Sequence, residues 1–271
     1  TFFDWFQNAF DWLITFTNVV IGGMYHGLNL VLSKPLYLVM MVVFAAIGWA
    51  CASWKVGLLA LIGFYLVRAM DQWNNTMQTL ALVVVAVILA LIVAIPLGIW
   101  AAKSKRFSAI IKPILDFMQT MPSLAYLVPV IVLFGIGQVP GAIATIIFAL
   151  PPGVRFTELG IRGVDAETVE AGAAFGASPR HILWRIQMPL AMPTVMAGVN
   201  QVIMLALSMV VLSGMVGAGG LGGDVVAALS QVDIGLGMEA GLAVVVVAVY
   251  LDRITSGLAN RTPLARAQRA S

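Results

Sequence analysis

The chain has 271 residues, of which 61% are hydrophobic and 10% charged, with a formal net charge of +3 and a mean hydropathy of +0.99. Soluble globular domains carry charge on about a quarter of their residues, so this composition excludes them. Lipid must solvate most of the apolar surface, which leaves the backbone a choice between helices and a closed barrel.

Apolar runs of about 20 residues select helices over barrel strands and make the expected fold an all-α membrane protein. Cys51 is the only cysteine, which excludes an internal disulfide and a thiolate metal cluster. His26 and His181 stand apart from other ligand types, so no metal site is expected. The basic residues are dispersed through short loops, which argues for a bilayer and against a nucleic-acid partner.

In chain order, the first segment is residues 1–33. Its opening, TFFDWFQNAFDWLITFTN, spaces Asp4, Gln7, Asn8, Asp11, Thr15 and Asn18 by three and four residues between aromatics. That period predicts an amphipathic helix. It lies flat at the outer interface as membrane-surface helices do, or packs against the bundle or a partner subunit.

Seven spans are then predicted, at Pro35 to Ala52, Trp54 to Met70, Thr76 to Ala102, Ile114 to Phe134, Ala142 to Thr157, Met192 to Val216 and Ile234 to Leu251. They make up a transmembrane region of residues 34–253, followed by a cytoplasmic tail, 254–271. No charge occurs between Asp116 and Arg155, and GIGQVPG (Gly135 to Gly141) supplies the turn that splits this run into two helices. Asp116 has Lys112 one helical turn before it, and Glu239 sits near a span end, so both read as structural charges.

Lys55, Lys103, Lys105, Arg106, Lys112, Arg155, Arg162, Arg180, Arg185, Arg253, Arg261, Arg266 and Arg269 all fall on one side of the expected topology, and only Lys34 and Arg68 on the other. The excess marks the cytoplasmic side. It places the N-terminus outside, the C-terminus inside and the polar stretch before Pro189 in the cytoplasm.

That stretch, EAGAAFGASPRHILWRIQMP, reads as a helical hairpin. Glu170 to Phe175 is a short helix, Gly176 permits a left-handed turn, and Ser178 with Pro179 forms an N-cap followed by proline at the first helical position. Arg180, His181 and Arg185 decorate the second helix, while Ile182, Leu183, Trp184, Ile186 and Met188 supply apolar surface. Mixed faces on a preformed hairpin suggest a docking surface for another protein.

Two spans carry polar stripes. In the sixth, Asn200, Gln201, Met204, Ser208, Val211 and Met215 fall within an arc of about 100° at the helical period. In the fourth, Gln119, Ser123 and Tyr126 share a face beside Pro122 and Pro129, which kink the helix. Each polar residue serves as a substrate pathway or as hydrogen-bond glue between helices. GAGGLG (Gly217 to Gly222) has the form of a dinucleotide fingerprint but follows a membrane helix instead of a strand, and is expected to be a flexible outer turn.

The hairpin resembles the EAA loop of permease subunits in binding-protein-dependent ABC importers. Glu170, Ala171, Gly176, Ile186 and Pro189 stand at the matching positions, with Gly172 in place of alanine and Met188 in place of leucine. LGIWAAKSKR, IIKPILDFMQTMPSLAYLVPVIVLFGIGQVPG, TIIFALPP and QMPLAMPTVMAGVNQVIMLALSMVV are similar to the glycine betaine, proline and choline permeases of osmoprotectant importers. The resemblance implies a type I importer permease fold like that of methionine permeases. It also implies a homodimer, two copies of a cytoplasmic ATPase seated on residues 160–189, and an external substrate-binding protein. ATP and Mg would be bound by the ATPase, with no cofactor and no enzymatic activity in this chain. The alternatives are an ion-coupled secondary transporter or a channel, which call for inverted repeats with coupling-ion ligands or for a selectivity filter; neither feature is visible.

Overall fold

A computed structural model describes residues 2–260. The regular structure of the described residues is helical throughout. Twelve α-helices follow one another: α1 (Phe2–Ser33), α2 (Tyr37–Cys51), α3 (Trp54–Ala69), α4 (Trp73–Lys103), α5 (Lys105–Thr120), α6 (Ser123–Phe134), α7 (Gln138–Arg162), α8 (Ala166–Ala174), α9 (Pro179–Ile182), α10 (Met188–Leu212), α11 (Gly220–Gln231) and α12 (Ile234–Ala259). A π-helical turn, Leu183–Gln187, joins α9 to α10, and a 3₁₀ turn, Ser213–Val216, follows α10.

The centre is α4, 31 residues long and so about 46 Å at 1.5 Å per residue. It is enclosed by α7, α10, α11 and the second half of α1. Lipid is as apolar as leucine, so helices associate through close packing of small residues instead of through hydrophobic exclusion. The α4–α7 contact shows this: a Cβ on Gly98 would lie 2.5 Å from Thr157 Cβ, and one on Gly153 2.8 Å from Ala94 Cβ. The large side chains that remain exposed, among them Leu38, Val42, Leu61, Ile62 and Ile92, form the surface that lipid covers.

The helices α2 and α3 form a hairpin on the periphery. Phe44 stacks on Phe64 at 4.5 Å between centroids, and Tyr250 of α12 meets Phe64 edge-on at 5.1 Å while its hydroxyl donates to the Phe44 carbonyl at 2.9 Å. One aromatic cluster therefore ties α2, α3 and α12 together.

By length and composition the described helices supply four to six spans, close to the seven expected. Four helical stretches are long and apolar enough to cross by themselves, at Trp73–Lys103, Gln138–Arg162, Pro179–Val216 and Ile234–Ala259. Two more candidates are bent pairs, Ile14–Ser33 with Tyr37–Cys51 at 104° and Lys105–Thr120 with Ser123–Phe134 at 98°. The expected fourth span is thus broken, not merely kinked. Pro122 lacks an N–H and drives Met121 into extended backbone (ψ 134°), so the helix stops and restarts. At 16 residues α3 is short for a crossing. From Phe2 the amphipathic opening segment is helical and continuous to Ser33, and the later part of α1 buries Ile21 and Tyr25 in the core. Thr1, the side chains of residues 2–10 and of Leu13, and residues 261–271, with Arg261, Arg266 and Arg269 of the charge bias, lie outside the described structure.

Candidate coupling hairpin and translocation face

The hairpin has the build that its residues predict, with a first helix that begins four residues earlier. Asp165 caps α8 by accepting from the Glu167 N–H at 3.1 Å. Gly176 has φ +80°, the Ala177 N–H donates to Gly172 O at 3.1 Å, and the Gly176 N–H donates to Ala173 O at 2.9 Å. These two bonds are the Schellman closure of a helix C-terminus. Ser178 Oγ then accepts from the His181 N–H at 3.3 Å and Pro179 takes the first turn of α9.

The surfaces of the hairpin divide into a base and a tip. Gly172, which replaces the alanine of the motif, is where α8 meets the π turn: a Cβ there would lie 2.5 Å from Ile186 Cδ1. Glu170 lines a small cleft with Arg162 and Gln187 at the base. Ala171, Ser178, Arg180 and Pro189 are exposed. At the turn Phe175 is 93% exposed, and on the second arm Trp184 is 59% exposed.

On its second arm the hairpin runs without a loop into α10. From Pro179 to Val216 the chain is one helical element of 38 residues. Along α10, Gln201 and Ser208 are exposed and Met204 and Val211 partly exposed, and Met215 in the following 3₁₀ turn is exposed, so one strip of the stripe stays uncovered by the rest of the chain. Ser208 returns its hydroxyl to the Met204 carbonyl at 3.0 Å.

Asn200, at the edge of the arc, does something else. Its Nδ2 donates to Asp252 Oδ1 at 3.1 Å and its Oδ1 accepts from Thr255 Oγ1 at 2.6 Å, which fastens α10 to α12. The second stripe is divided by the break at Met121 and Pro122. Gln119 is exposed on α5, Ser123 is partly exposed at the start of α6, and Tyr126 is buried, packed edge-on against Phe148 at 5.7 Å with its hydroxyl donating to the Met118 carbonyl. These three residues do not share one helical face.

A ladder of charge between α5 and α7 went unread in the sequence. Glu158 is buried, accepts from Ser108 Oγ at 2.6 Å, and forms ion pairs with Arg162 Nε at 3.1 Å and Lys112 Nζ at 3.6 Å. Arg155, one turn earlier, pairs with Asp116. The expected Lys112–Asp116 pair within α5 is therefore replaced by two pairs across helices. The signal was present: Arg155, Glu158 and Arg162 are spaced by three and four residues, which puts them on one face of α7.

The GAGGLG segment is tightly packed and not a flexible turn. Gly220 N–H donates to Gln78 Oε1 at 3.1 Å and Leu221 N–H to Thr79 Oγ1 at 2.9 Å, so side chains of α4 cap α11. A Cβ on Gly214 would fall onto the backbone of Gly222. Asn75 of α4 also donates to Asp224 Oδ2 at 2.6 Å. No span was expected at α11, because its 12 residues are too few to cross and open on glycines.

Residues 94–261 match the family described as binding-protein-dependent transport system inner membrane component. The chain is similar to the glycine betaine/proline betaine transport system permease protein ProW of Escherichia coli strain K12, with 44% identity over 261 residues, 94% of this chain and 74% of the relative. It is as similar to the glycine betaine transport system permease protein OpuAB of Bacillus subtilis strain 168, at 44% over 95% of this chain and 91% of the relative. The glycine betaine/carnitine transport permease protein GbuB of Listeria monocytogenes is 45% identical over 93% of each. Among solved structures, an inward-facing form of the MetNI methionine ABC transporter superposes with a TM-score of 0.59 over 70% of this chain and 92% of that one, at 22% identity, and shows a shared fold. A multi-pass helical bundle with this hairpin, this fold and these identities along nearly its whole length belongs to the binding-protein-dependent transport system inner membrane components.

Proposed function

We propose that this permease forms the translocation pathway of an ATP-driven importer for a compatible solute of the betaine class: glycine betaine, choline, proline or a related quaternary ammonium compound. Two copies face each other across the uncovered strip of α10, with Gln201, Met204 and Ser208 toward the solute and Gln119 and Ser123 beside the break in the α5–α6 arm. Tyr126 contributes by holding that break through Met118, and Asn200 by fixing α10 on α12. A quaternary ammonium keeps its charge at every pH, so a pathway of dipoles and polarisable groups suits it better than a fixed cation.

The observation that carries the reading is the continuity of the hairpin with α10. A cytoplasmic ATPase holding ATP and Mg engages Phe175, Arg180 and Trp184 on the hairpin, and movement imposed there reaches the solute strip through an unbroken helix. The N-terminus lies outside, where a binding protein delivers the solute, and the C-terminus lies inside. The test is uptake into proteoliposomes that contain the permease, its ATPase and the loaded binding protein. Labelled glycine betaine should accumulate only with ATP inside the compartment that holds the ATPase. Accumulation driven by an ion gradient without ATP would refute the importer.

A further inference from the structure

Lys34 and Arg68 are the two basic residues that the charge bias leaves at the end of the bundle away from the hairpin. The structure confirms their separation: they adjoin Trp73 at one end of α4, whereas the Glu158 cluster adjoins Ala101 at the other. It also brings them together. Both line a single pocket of about 360 Å³, formed where α1 turns by 104° into α2 and α3 turns into α4.

The electrostatics of this pocket favour an anion. Arg68 pairs with Asp71 at 2.9 Å and lies 5.3 Å over the Tyr37 ring. The Asp71 side chain is 94% exposed, so water screens much of its charge. Lys34 has no carboxylate partner among the described residues. Lys34, Arg68 and Asp71 therefore sum to a charge of +1 around one cavity. The first turns of α2 and α4, which begin at Tyr37 and Trp73, lack side-chain caps and add their positive dipole ends.

The rim indicates what kind of anion. Leu36, which lines the pocket, and its near neighbours in the chain Leu30, Val31 and Leu38 are all more than half exposed, and Tyr37 and Trp73, which also line it, lie edge to face at 6.4 Å, an aromatic pair of the type enriched at membrane interfaces. Free phosphate has no use for an apolar collar. A phospholipid has use for both parts.

We propose that this pocket binds the phosphate of an anionic phospholipid in the adjoining leaflet, held between Lys34 and Arg68, with its acyl chains along the collar. The bound headgroup braces the α1–α2 bend against the α3–α4 turn. The site rests on membrane placement alone and stands whether or not the import reading does.

The test uses the purified transporter complex, titrated with phosphatidylglycerol and read by native mass spectrometry, with diacylglycerol of the same chains as the phosphate-free control. The wild type should bind phosphatidylglycerol in preference to diacylglycerol, and Lys34→Gln with Arg68→Gln should weaken that binding about tenfold or more, the scale of losing charge-assisted hydrogen bonds. Asp71→Asn removes the competing carboxylate at a position of φ +57°, which asparagine tolerates, and should tighten binding several-fold. Equal binding by wild type and double variant overturns the proposal, as does an Asp71→Asn complex that binds no tighter. Displacement of the lipid by excess inorganic phosphate would make this a free-anion site. Unchanged lipid binding with lost stimulation by the loaded binding protein would make it a protein-docking surface. Either result also overturns the lipid assignment.

Discussion

Replacing Gly176 by valine separates docking from membrane packing. With φ at +80°, the position costs an L-residue about 1–2 kcal/mol, and a β-branched side chain stands at the upper end. That is a factor of about 5–30 in the population of the native turn. The first arm is lightly held: α8 has no buried residue, it meets the second arm at Gly172 and Ile186, and its end is closed by the two bonds from Gly176 and Ala177. A Cβ on Gly176 would meet nothing within 4 Å, so the penalty is conformational and stays in the hairpin. Asparagine visits the left-handed region readily and should restore most of the loss. The assay is co-purification of the ATPase with the permease, together with stimulation of ATP hydrolysis by loaded binding protein in reconstituted complexes. Valine should reduce both, asparagine should reduce neither by much, and the thermal stability of the isolated permease should match wild type in each. Wild-type coupling in Gly176→Val would show that this turn is not needed to seat the ATPase.

Glu158→Ala should destabilise the bundle by about 1–3 kcal/mol, less than a fully buried pair would cost, because the Arg162 and Lys112 side chains are 36% and 54% exposed and can reach water. Thermal unfolding in detergent checks this, and Glu158→Gln, which can still accept from Ser108, should fall between. Met204→Lys should abolish uptake with ATPase co-purification intact, whereas Asn200→Ala should cost about 0.6–1.7 kcal/mol of stability; lost uptake at unchanged stability would move Asn200 into the pathway. Gly214→Ala should prevent folding, since its Cβ would meet the backbone of Gly222 and not a side chain that can turn away; wild-type yield of stable protein would contradict the packing at α11. In a Cys51→Ser background, cysteines at Ser104 and Ser178 should react only with cytoplasmic reagent and one at Ser230 only with external reagent, and the reverse pattern would invert the topology.

The hairpin was legible in the sequence because its determinants are local. A left-handed glycine and a Ser-Pro cap specify their backbone whatever surrounds them, and Gly176, Ser178 and Pro179 took the conformations their types demand. The long apolar helices were legible for the same reason. Features that depend on partners distant in the chain were not. Glu158 looks like any charge at a span end until Ser108 and Lys112 of α5 are seen beside it, 50 and 46 residues earlier. The glycines from Gly217 to Gly222 suggest freedom in isolation, yet Gln78 and Thr79 of α4 immobilise them. Periodicity placed Asn200 and Gln201 in one arc, but only the position of Asp252 and Thr255 gives Asn200 to α12 and leaves Gln201 open. Pro122 announced a disturbance, while its size, 98°, depends on the packing of α6 against Ala144 and Met209.

If the hairpin docks an ATPase as proposed, the π-helical turn at Leu183–Gln187 acts as an angular offset in a drive shaft. An α-helix advances about 100° per residue, and a π turn accommodates one residue more than an α turn does. The azimuth of Arg180 and Trp184 relative to Gln201 and Ser208 is therefore set by that single extra residue. Were residues 183–187 to close as ordinary α-helix with none removed, the docking side would rotate by about 100° against the solute strip. Every side chain of both surfaces would remain in the protein, and the ATPase would pull on a shaft whose two ends no longer point in compatible directions.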